Sequence, residues 1–511
     1  MKLNQRKIGS ILSYIQMAVS IVLSIVYTPV MLRLLGESEY GLYNIASSTI
    51  SMMSILNLGF NSGYIRYYSK YKRSNDTESL KKLNGLFLLL FTIIGTIVLV
   101  CGLILTSNLR AIFDSGLTEG EYAIAKVLML ILTVTLAISF PMGVFSNIIS
   151  AHEKFVFLKL LGIARTVISP MLTIILLLKG YKSIAMVSVS LALSIIVDAI
   201  YLFYVLVILK QRFSIGLPEK GIFGGLFTYS IFIAINMIVD QINLNIDKVL
   251  LGRFKGTTAV SIYTIGYCLH HYYQTFSTSI SSVFTPMIHG IIAELREDTK
   301  KMTDTLTALF IKVGRIQYLI LMLLCTGVIF FGREFIYFWT GSESYGDSYY
   351  VAILLIIPST VPLIQNIGIE TQRALNRHQF RSIAYIIMAS INLGLSIYLC
   401  QLYGAVGSAI GTAISVVLAN GIVMNVFYHK RCFVNMIAFW KSILRLSVGL
   451  IIPVAVGVFI MVFINIENVF ALLGSIILYT VVYCASMWLF GMNTYEKELV
   501  LGPVKKIFKK S

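Results

Sequence analysis

Residues 81–110 read KKLNGLFLLLFTIIGTIVLVCGLILTSNLR, an apolar run bounded by Lys81 and Lys82 at one end and by Arg110 at the other. As a helix, the part from 84 to 107 would be about 36 Å long, because an α-helix rises 1.5 Å per residue. That length is sufficient to cross a hydrocarbon core of about 30 Å. The stretch therefore predicts a membrane-spanning helix with a basic pair at one end.

Similar runs fill the rest of the chain. Hydrophobic residues occupy 57% of the 511 positions and charged residues only 13%, whereas soluble domains carry about 25% charged residues. The pattern predicts an all-α integral membrane protein with fourteen transmembrane helices, or twelve as the fallback count. With soft edges, the predicted spans are 10–33, 40–65, 84–107, 122–150, 158–178, 184–209, 223–247, 258–286, 306–332, 348–372, 380–402, 405–428, 437–464 and 467–490.

The basic residues concentrate in every second connection between these spans. With both termini cytoplasmic, the inner connections and tails hold 29 of the 41 Lys and Arg residues, and the outer connections hold 9. Basic residues near helix ends are retained on the cytoplasmic side of a membrane. The formal charge of +18 therefore predicts orientation in a cytoplasmic membrane. It does not indicate nucleic-acid binding, which would gather basic residues on one folded face.

When charged residues near the soft edges of the spans are counted with the connections and tails, six are assigned to the spans themselves. An ionisable group at mid-bilayer costs about 3 kcal/mol on insertion scales and usually faces a cavity or a partner. The charged residues within the spans are therefore better candidates for function than the basic residues of the connections, which carry the net charge. The six are Arg165, Asp198, Asp240, Asp247, Lys312 and Arg315.

Short similarities recur at nearly constant offsets along the chain. GLY at 41–43 is echoed by SIY at 261–263, AHEKF at 151–155 by NRHQF at 376–380, and KG at 179–180 by YG at 403–404. LLG at 34–36 likewise recurs at 250–252. An offset of six spans keeps orientation, so the pattern predicts two parallel repeats. We expect six-helix lobes at 1–212 and 213–431, then two additional helices and a basic cytoplasmic tail at 432–511.

The seventh predicted span carries a polar stripe. Asn236, Asp240, Asn243 and Asp247 follow one another at spacings of three or four, and Asn245 lies among them. Residues at these spacings share one face of a helix. A polar face on a span should contact water or protein, although Asp247 would also suit the outer interface and Asp240 a structural hydrogen bond.

Other candidates are more scattered. Arg66 ends the second span and would suit either the inner mouth of a cavity, where guanidinium matches phosphate, or the lipid headgroups. Arg165, Glu370 and Arg373 are secondary candidates for function. Glu370 and Arg373 could pair with each other. Prolines remove a helix hydrogen bond. Bending points are therefore expected at Pro29, Pro358 and Pro362.

Several of these stretches resemble a known family. YTPVMLRLLG at 27–36, EYGLY at 39–43 and LGFNSGYIR at 58–66 look like the N-terminal signature of bacterial polysaccharide repeat-unit flippases, including O-antigen flippases. NIDKVLLG at 245–252, followed by Ile262 and Tyr263, is similar to that family's pattern at the start of the second lobe. The wider multidrug/oligosaccharidyl-lipid/polysaccharide exporter superfamily also contains lipid II flippases and multidrug exporters.

The resemblance implies a flippase of a bacterial inner membrane that moves polyprenyl-pyrophosphate-linked oligosaccharides to the outer leaflet by alternating access. Its implied partners are that lipid-linked oligosaccharide, membrane lipids, and the polymerase and glycosyltransferases of the pathway, with no nucleic acid. No catalytic or metal site is expected and no cofactor, although H+ or Na+ are candidate coupling ions. From their position and spacing, we expect Arg66, Asp240, Asn243, Asn245 and Asp247 to be the cavity or gate residues.

Three alternatives remain open on the sequence. A multidrug exporter would couple to a cation through a carboxylate such as Asp240. A lipid II flippase typically carries several cations in the cavity of its first lobe, whereas the first span here has none before Arg33. An intramembrane enzyme acting on the same glycans would show a large outer loop bearing Arg or His, and the outer connections here are short.

Overall fold

The computed structural model describes residues 5–113, 116–217, 222–295, 297–375 and 377–508. Within these ranges the chain is helical and contains no strand. The α-helices are α1 (Gln5–Leu35), α2 (Glu37–Ser51), α3 (Phe60–Arg73), α4 (Thr77–Ser107), α5 (Leu109–Ile112), α6 (Glu119–Ala151), α7 (Phe155–Leu178), α8 (Ser183–Phe203), α9 (Ile222–Phe254), α10 (Gly256–Ser281), α11 (Thr285–Glu294), α12 (Thr299–Thr340), α13 (Asp347–Ile364), α14 (Ile367–Ala374), α15 (His378–Val416), α16 (Asn425–Arg431), α17 (Met436–Ser447), α18 (Ile451–Phe463), α19 (Val469–Ser486) and α20 (Thr494–Phe508).

Shorter helical turns connect several of these elements. Turns of 3₁₀ type lie at Met52–Asn57, Ser282–Phe284, Glu343–Tyr345 and Val448–Leu450. Turns of π type lie at Tyr204–Ile208, Val417–Met424 and Met487–Gly491.

The protein is a multi-span membrane protein, as the sequence predicts, but the count of fourteen is not confirmed. Among the described residues, ten helices are long and apolar enough to span a membrane, and a bent pair (α10 with α11) would make eleven. The predicted spans at 380–402 and 405–428 fall in one helical run of 53 residues, Gln379–Arg431. Straight, that run would be about 80 Å long. At Gly404 (φ 57°, ψ −132°) the backbone leaves the helical conformation, which divides the run into two segments of spanning length.

The second predicted span, 40–65, is wrong as a continuous helix. α2 ends at Ser51, a 3₁₀ turn follows, and Leu58 (φ 48°) and Gly59 (φ 72°) are left-handed before α3 begins. Glycine adopts this conformation without steric cost, so LG at 58–59 is a natural place for the break. Neither α2 nor α3 reaches spanning length alone. The seventh predicted span, 223–247, lies within α9, which is not among the ten helices.

Contacts divide the chain into two compact units, Met1–Ser261 and Ile262–Ser511. In the first unit α4 and α8 pack against α6, α1 packs against α7, and α9 packs against α2. Its aromatic core includes Tyr64, Tyr68 and Phe87. In the second unit α12 packs against α13 and α17, and α13 packs against α15, around a core that includes Phe310 and Phe439. The predicted lobe boundaries at 212 and 431 stay a prediction.

Helix breaks recur at the offsets of the predicted repeat. Gly36 (φ 78°) separates α1 from α2, and Gly256 (φ 80°), 220 positions later, begins α10 immediately after α9. Gly180 (φ 85°) precedes α8, and Gly404, 224 positions later, breaks α15. The counterpart of Gly36 is therefore Gly256, and Gly252 of the LLG match lies inside α9. Asn376, in the NRHQF stretch, lies outside the described residues.

Candidate functional site

The predicted polar stripe lies on α9, in the first unit. The buried side of α9 includes Val239 and Leu251, and the helix packs against α2, the 3₁₀ turn after it and α3. Asp240 and Asn243 are exposed. One side of α9 is therefore buried in the core of the first unit, and the other side exposes the carboxylate of Asp240 and the amide of Asn243.

The stripe turns inward towards the end of α9. Asn245 is half-buried, and its Nδ2 donates to Oε1 of Gln241, 2.7 Å away. Asp247 is only 1% exposed, so its carboxylate belongs to the interior of the unit. Asn236 lies in α9, but its side chain is outside the described part of the chain.

Arg66 lies on α3, which packs against α9. The opposite face of α3 is fixed in the core, where the Tyr64 hydroxyl donates to Oδ1 of Asn84 at 2.7 Å and Nδ2 of Asn147 donates to Oδ1 of Asn61 at 2.7 Å. Arg66 is exposed on the other face. The helices that carry Arg66 and the stripe are therefore neighbours, which the separate sequence arguments for them did not anticipate.

Arg165 lies on α7, which packs against α1, α6 and α8. Its Nη2 donates to Oγ of Ser194 on α8 at 2.6 Å. Asp198, one turn further along α8, interacts electrostatically with the same guanidinium. Two of the six charged residues assigned to the spans thus interact with each other. The contribution of Arg165 to a substrate cavity stays a prediction.

Glu370 and Arg373 lie on α14, in the second unit. They form an ion pair with 2.6 Å between Oε1 and Nη1 at an i,i+3 spacing, as the sequence suggested. The pair is partly exposed, and its contribution to a substrate path stays a prediction.

The three prolines proposed as bending points lie inside helices. α1 continues six residues past Pro29 to Leu35. α13 includes Pro358 and Pro362 and ends at Ile364, where Gln365 begins the turn into α14. Their function in gating stays a prediction.

Glu39, in the EYGLY motif, has a structural role that the sequence did not reveal. It is 8% exposed, and its Oε1 accepts from the Ser183 backbone N–H at 3.0 Å and from Ser183 Oγ at 2.8 Å. Lys182 Nζ lies 3.2 Å from Oε2. A carboxylate at a helix N-terminus satisfies free N–H groups and complements the helix dipole. Glu39 of α2 therefore caps α8.

A second carboxylate fastens α6 to its neighbours. Glu121 forms a capping box with Thr118 at the start of α6. It also accepts hydrogen bonds from Ser38 Oγ and from Thr257 Oγ1, the latter at 2.8 Å. Ser261 Oγ donates to the Glu37 carbonyl at 2.6 Å. The start of α10 is thereby tied to α2 and α6 within the first unit.

Arg315 is buried in the second unit. Its guanidinium contacts the Glu496 carboxylate through two hydrogen bonds, with Nε–Oε1 at 2.5 Å and Nη2–Oε2 at 2.8 Å. The sequence identifies Arg315 as an embedded cation, but Glu496 lies 181 positions away and no local pattern connects them. Arg315 is a structural residue of this unit.

Solved membrane transporters share this fold. A structure of lipid II flippase MurJ in an inward closed conformation is 18% identical, covers 94% of this chain and 98% of its own, and gives a TM-score of 0.72. An inward-facing multidrug resistance MATE family transporter of the MOP superfamily is 14% identical, with 85% and 98% covered and a TM-score of 0.63. The MATE multidrug transporter DinF-BH in complex with R6G is 14% identical, with 86% and 97% covered and a TM-score of 0.59.

These similarities establish the fold. No curated protein matches the chain. The family described as "Polysaccharide biosynthesis protein" matches residues 8–291, which is more than half of the sequence. The chain, an all-helical membrane protein with the fold of MurJ and MATE transporters, therefore belongs to the polysaccharide biosynthesis protein family.

Proposed function

We propose that the protein is a flippase. Its substrate would be a polyprenyl-pyrophosphate-linked oligosaccharide repeat unit, moved from the cytoplasmic to the outer leaflet by alternating access during surface polysaccharide biosynthesis. Membership of the polysaccharide biosynthesis protein family supports this substrate class. The similarity in fold to a lipid II flippase supports the transport mode.

The observation that carries the proposal is the exposed polar side of α9. A carboxylate at membrane depth costs about 2.5–3.5 kcal/mol on insertion scales, and such residues almost always face water, protein or a partner. The side chains of Asp240 and Asn243 are exposed on the surface of the first unit. They can contact sugar hydroxyls along a polar path, because carboxylate and amide oxygens accept hydrogen bonds.

Arg66 supplies the complementary chemistry for the head group. It is exposed on α3, the helix that packs against α9. A guanidinium forms bidentate, charge-assisted hydrogen bonds with phosphate. A sugar-pyrophosphate cannot cross hydrocarbon without such partners, whereas its polyprenyl tail can stay in the lipid.

The direct test compares Asp240→Ala and Arg66→Ala with a matched control, Asp304→Ala, an exposed carboxylate on α12. Each variant is expressed in a strain lacking the native protein, and surface polysaccharide and protein abundance are measured together. We expect both site variants to lose most surface polysaccharide at normal abundance and the control to retain it. Wild-type polysaccharide in both site variants would contradict their assignment.

A cation-coupled multidrug exporter is the second candidate, favoured by the likeness to MATE transporters. In that case Asp240 would bind the coupling H+ or Na+, and deletion would increase drug accumulation without loss of surface glycan. A lipid II flippase would instead be required for cell-wall synthesis. The same deletion strain therefore distinguishes all three functions.

A further inference from the structure

A buried ion pair, Arg315 with Glu496, lies where α12, α17 and α20 meet in the second unit. Arg315 and Glu496 are 6% and 3% exposed. Besides Glu496, the Arg315 guanidinium donates to the Ser442 carbonyl and to the Gly491 carbonyl, each at 3.0 Å. Glu496 also accepts from the Asn493 backbone N–H at 2.9 Å. The charges of this pair cancel and its hydrogen-bonding groups are occupied, so it fixes the position of the surrounding backbone.

A cavity of about 540 Å³ lies against this ion pair, with Arg315 in its lining. Lys441 and Arg445 lie on its wall, one turn apart on α17, and both are exposed. No acidic residue lines the cavity, and neither cation forms an ion pair with a residue in the described ranges. Because Arg315 is neutralised by Glu496, the wall carries two positive charges without a compensating group.

An exposed apolar stripe leads from these cations along the helix. Ile437, Leu444, Val448 and Ile451 are between 54% and 72% exposed. Ile437, Lys441 and Leu444 share one face of α17 by their spacings of four and three. Val448 and Ile451 continue the exposed apolar run through the 3₁₀ turn into α18. That face belongs to the span Met436–Phe463. A molecule with an anionic head in the cavity could therefore lay apolar chains along the same helix.

The cavity lies at one membrane boundary. Its lining comes from the beginning of the span Met436–Phe463 and from the end of the span Val469–Gly491, so both contributions are on the same side. The charge pattern predicts that side to be cytoplasmic. Basic pockets between transmembrane helices on that side bind the head groups of anionic lipids.

We propose that Lys441 and Arg445 form a binding site for the phosphate of an anionic phospholipid, whose acyl chains lie against Leu444, Val448 and Ile451. The site shares no residue with the polar side chains on which the proposed function rests, Arg66, Asp240 and Asn243, which lie in the first unit. A free phosphate would use the same two cations but would leave the apolar stripe unused, which is why the lipid is the preferred source.

The test uses the full-length purified protein and native mass spectrometry with added phosphatidylglycerol or zwitterionic phosphatidylethanolamine. We expect wild type to retain phosphatidylglycerol in preference, and Lys441→Gln with Arg445→Gln to retain at least about tenfold less, because each surface cation strengthens binding of anionic lipid severalfold. The matched control, Lys300→Gln with Lys301→Gln, removes two exposed cations from the start of α12 and should behave as wild type.

Two further arms keep the result unambiguous. Lys441→Arg with Arg445→Lys conserves both charges and should retain phosphatidylglycerol as wild type does, which shows that retention depends on charge and not on the particular side chains. Thermal unfolding with inorganic pyrophosphate should show no stabilisation. Equal retention by the double Gln variant and its control would overturn the proposal, as would stabilisation by pyrophosphate without preference for phosphatidylglycerol. None of these readouts depends on surface polysaccharide, so the proposed function is tested separately.

Discussion

Gly41 shows how tightly single positions are constrained in the first unit. A Cβ placed on Gly41 would lie 2.0 Å from the Thr257 carbonyl oxygen and 2.6 Å from its carbon. Real atoms do not approach this closely, and the obstacle is backbone, which cannot rotate away. The glycine in the EYGLY motif is therefore needed for the approach of α2 to the start of α10.

Gly41→Ala should lower the free energy of unfolding by about 3 kcal/mol or more, since overpacking against a backbone forces the helices apart. The check is a thermal unfolding curve of the purified protein. Gly120→Ala is the control, because nothing lies within 4 Å of its added Cβ and the residue is in a helix. An unchanged unfolding midpoint for Gly41→Ala would show that α2 and α10 can separate without cost.

His152, in the turn between α6 and α7, is held neutral. Its Nδ1 lies 2.9 Å from the Ile148 carbonyl and its Nε2 lies 3.0 Å from the Tyr68 hydroxyl. This pattern fits an Nδ1–H donor and an Nε2 acceptor. Burial lowers the pKa of His152. The hydrogen bond with the Ile148 carbonyl raises this pKa, and the positive charges of Lys72 and Lys154 lower it further.

Because the folded pKa is below the unfolded value of about 6.5, the contribution of His152 to stability is present above that value. It is lost as pH falls towards the folded pKa, since the unfolded chain then binds more protons. Between about pH 8 and pH 5.5, the unfolding temperature of wild type should fall more than that of His152→Gln. Parallel pH curves for the two proteins would show that another group dominates this range.

At the scale of elements, the Arg315–Glu496 pair joins helices far apart in sequence. Glu496→Gln leaves a buried guanidinium uncompensated and should cost about 3–5 kcal/mol of stability. Glu498→Gln, at an exposed position two residues on, should have little effect. Replacing both partners, with Arg315→Met and Glu496→Leu, should recover most of the loss, because buried ion pairs can often be exchanged for packed apolar residues.

Thermal unfolding of these three variants decides the question. A small loss for Glu496→Gln would mean that water or another acceptor reaches Arg315, which contradicts its 6% exposure. Failure of the double replacement to recover stability would instead assign the effect to the contacts with Ser442 and Gly491.

The helices could be predicted from sequence where they are long and apolar, and were missed where the backbone breaks. The stretch at 81–110 leads directly to α4, because length and hydropathy suffice for a spanning helix. The break at Leu58 and Gly59 was not foreseen, since neither residue interrupts the apolar pattern. The polar spacing on α9 predicts a shared face for Asp240 and Asn243, both of which are exposed, but burial of Asp247 depends on packing partners that no local pattern reveals.

For the whole molecule, the distribution of basic residues predicts which connections face the cytoplasm. Cysteine labelling from outside the cell tests it, with Ser74→Cys in a predicted inner connection and Glu343→Cys in a predicted outer one. Both positions are exposed, and they should be compared in a background lacking the six native cysteines. A membrane-impermeant thiol reagent should label position 343 and not position 74. Labelling of position 74 alone would invert the topology.

The cap that Glu39 places on α8 also constrains the order in which the protein is made. Ser183 follows Glu39 by 144 positions, and Thr257 follows Ser38 by 219. At synthesis rates of about 5–20 residues per second, the ribosome needs about 7–30 s to produce the first of these partners. The carboxylate of Glu39 must therefore stay hydrated until α8 is inserted. The first unit cannot be completed until translation has reached Thr257 and Ser261, beyond residue 212 where the predicted first lobe ends.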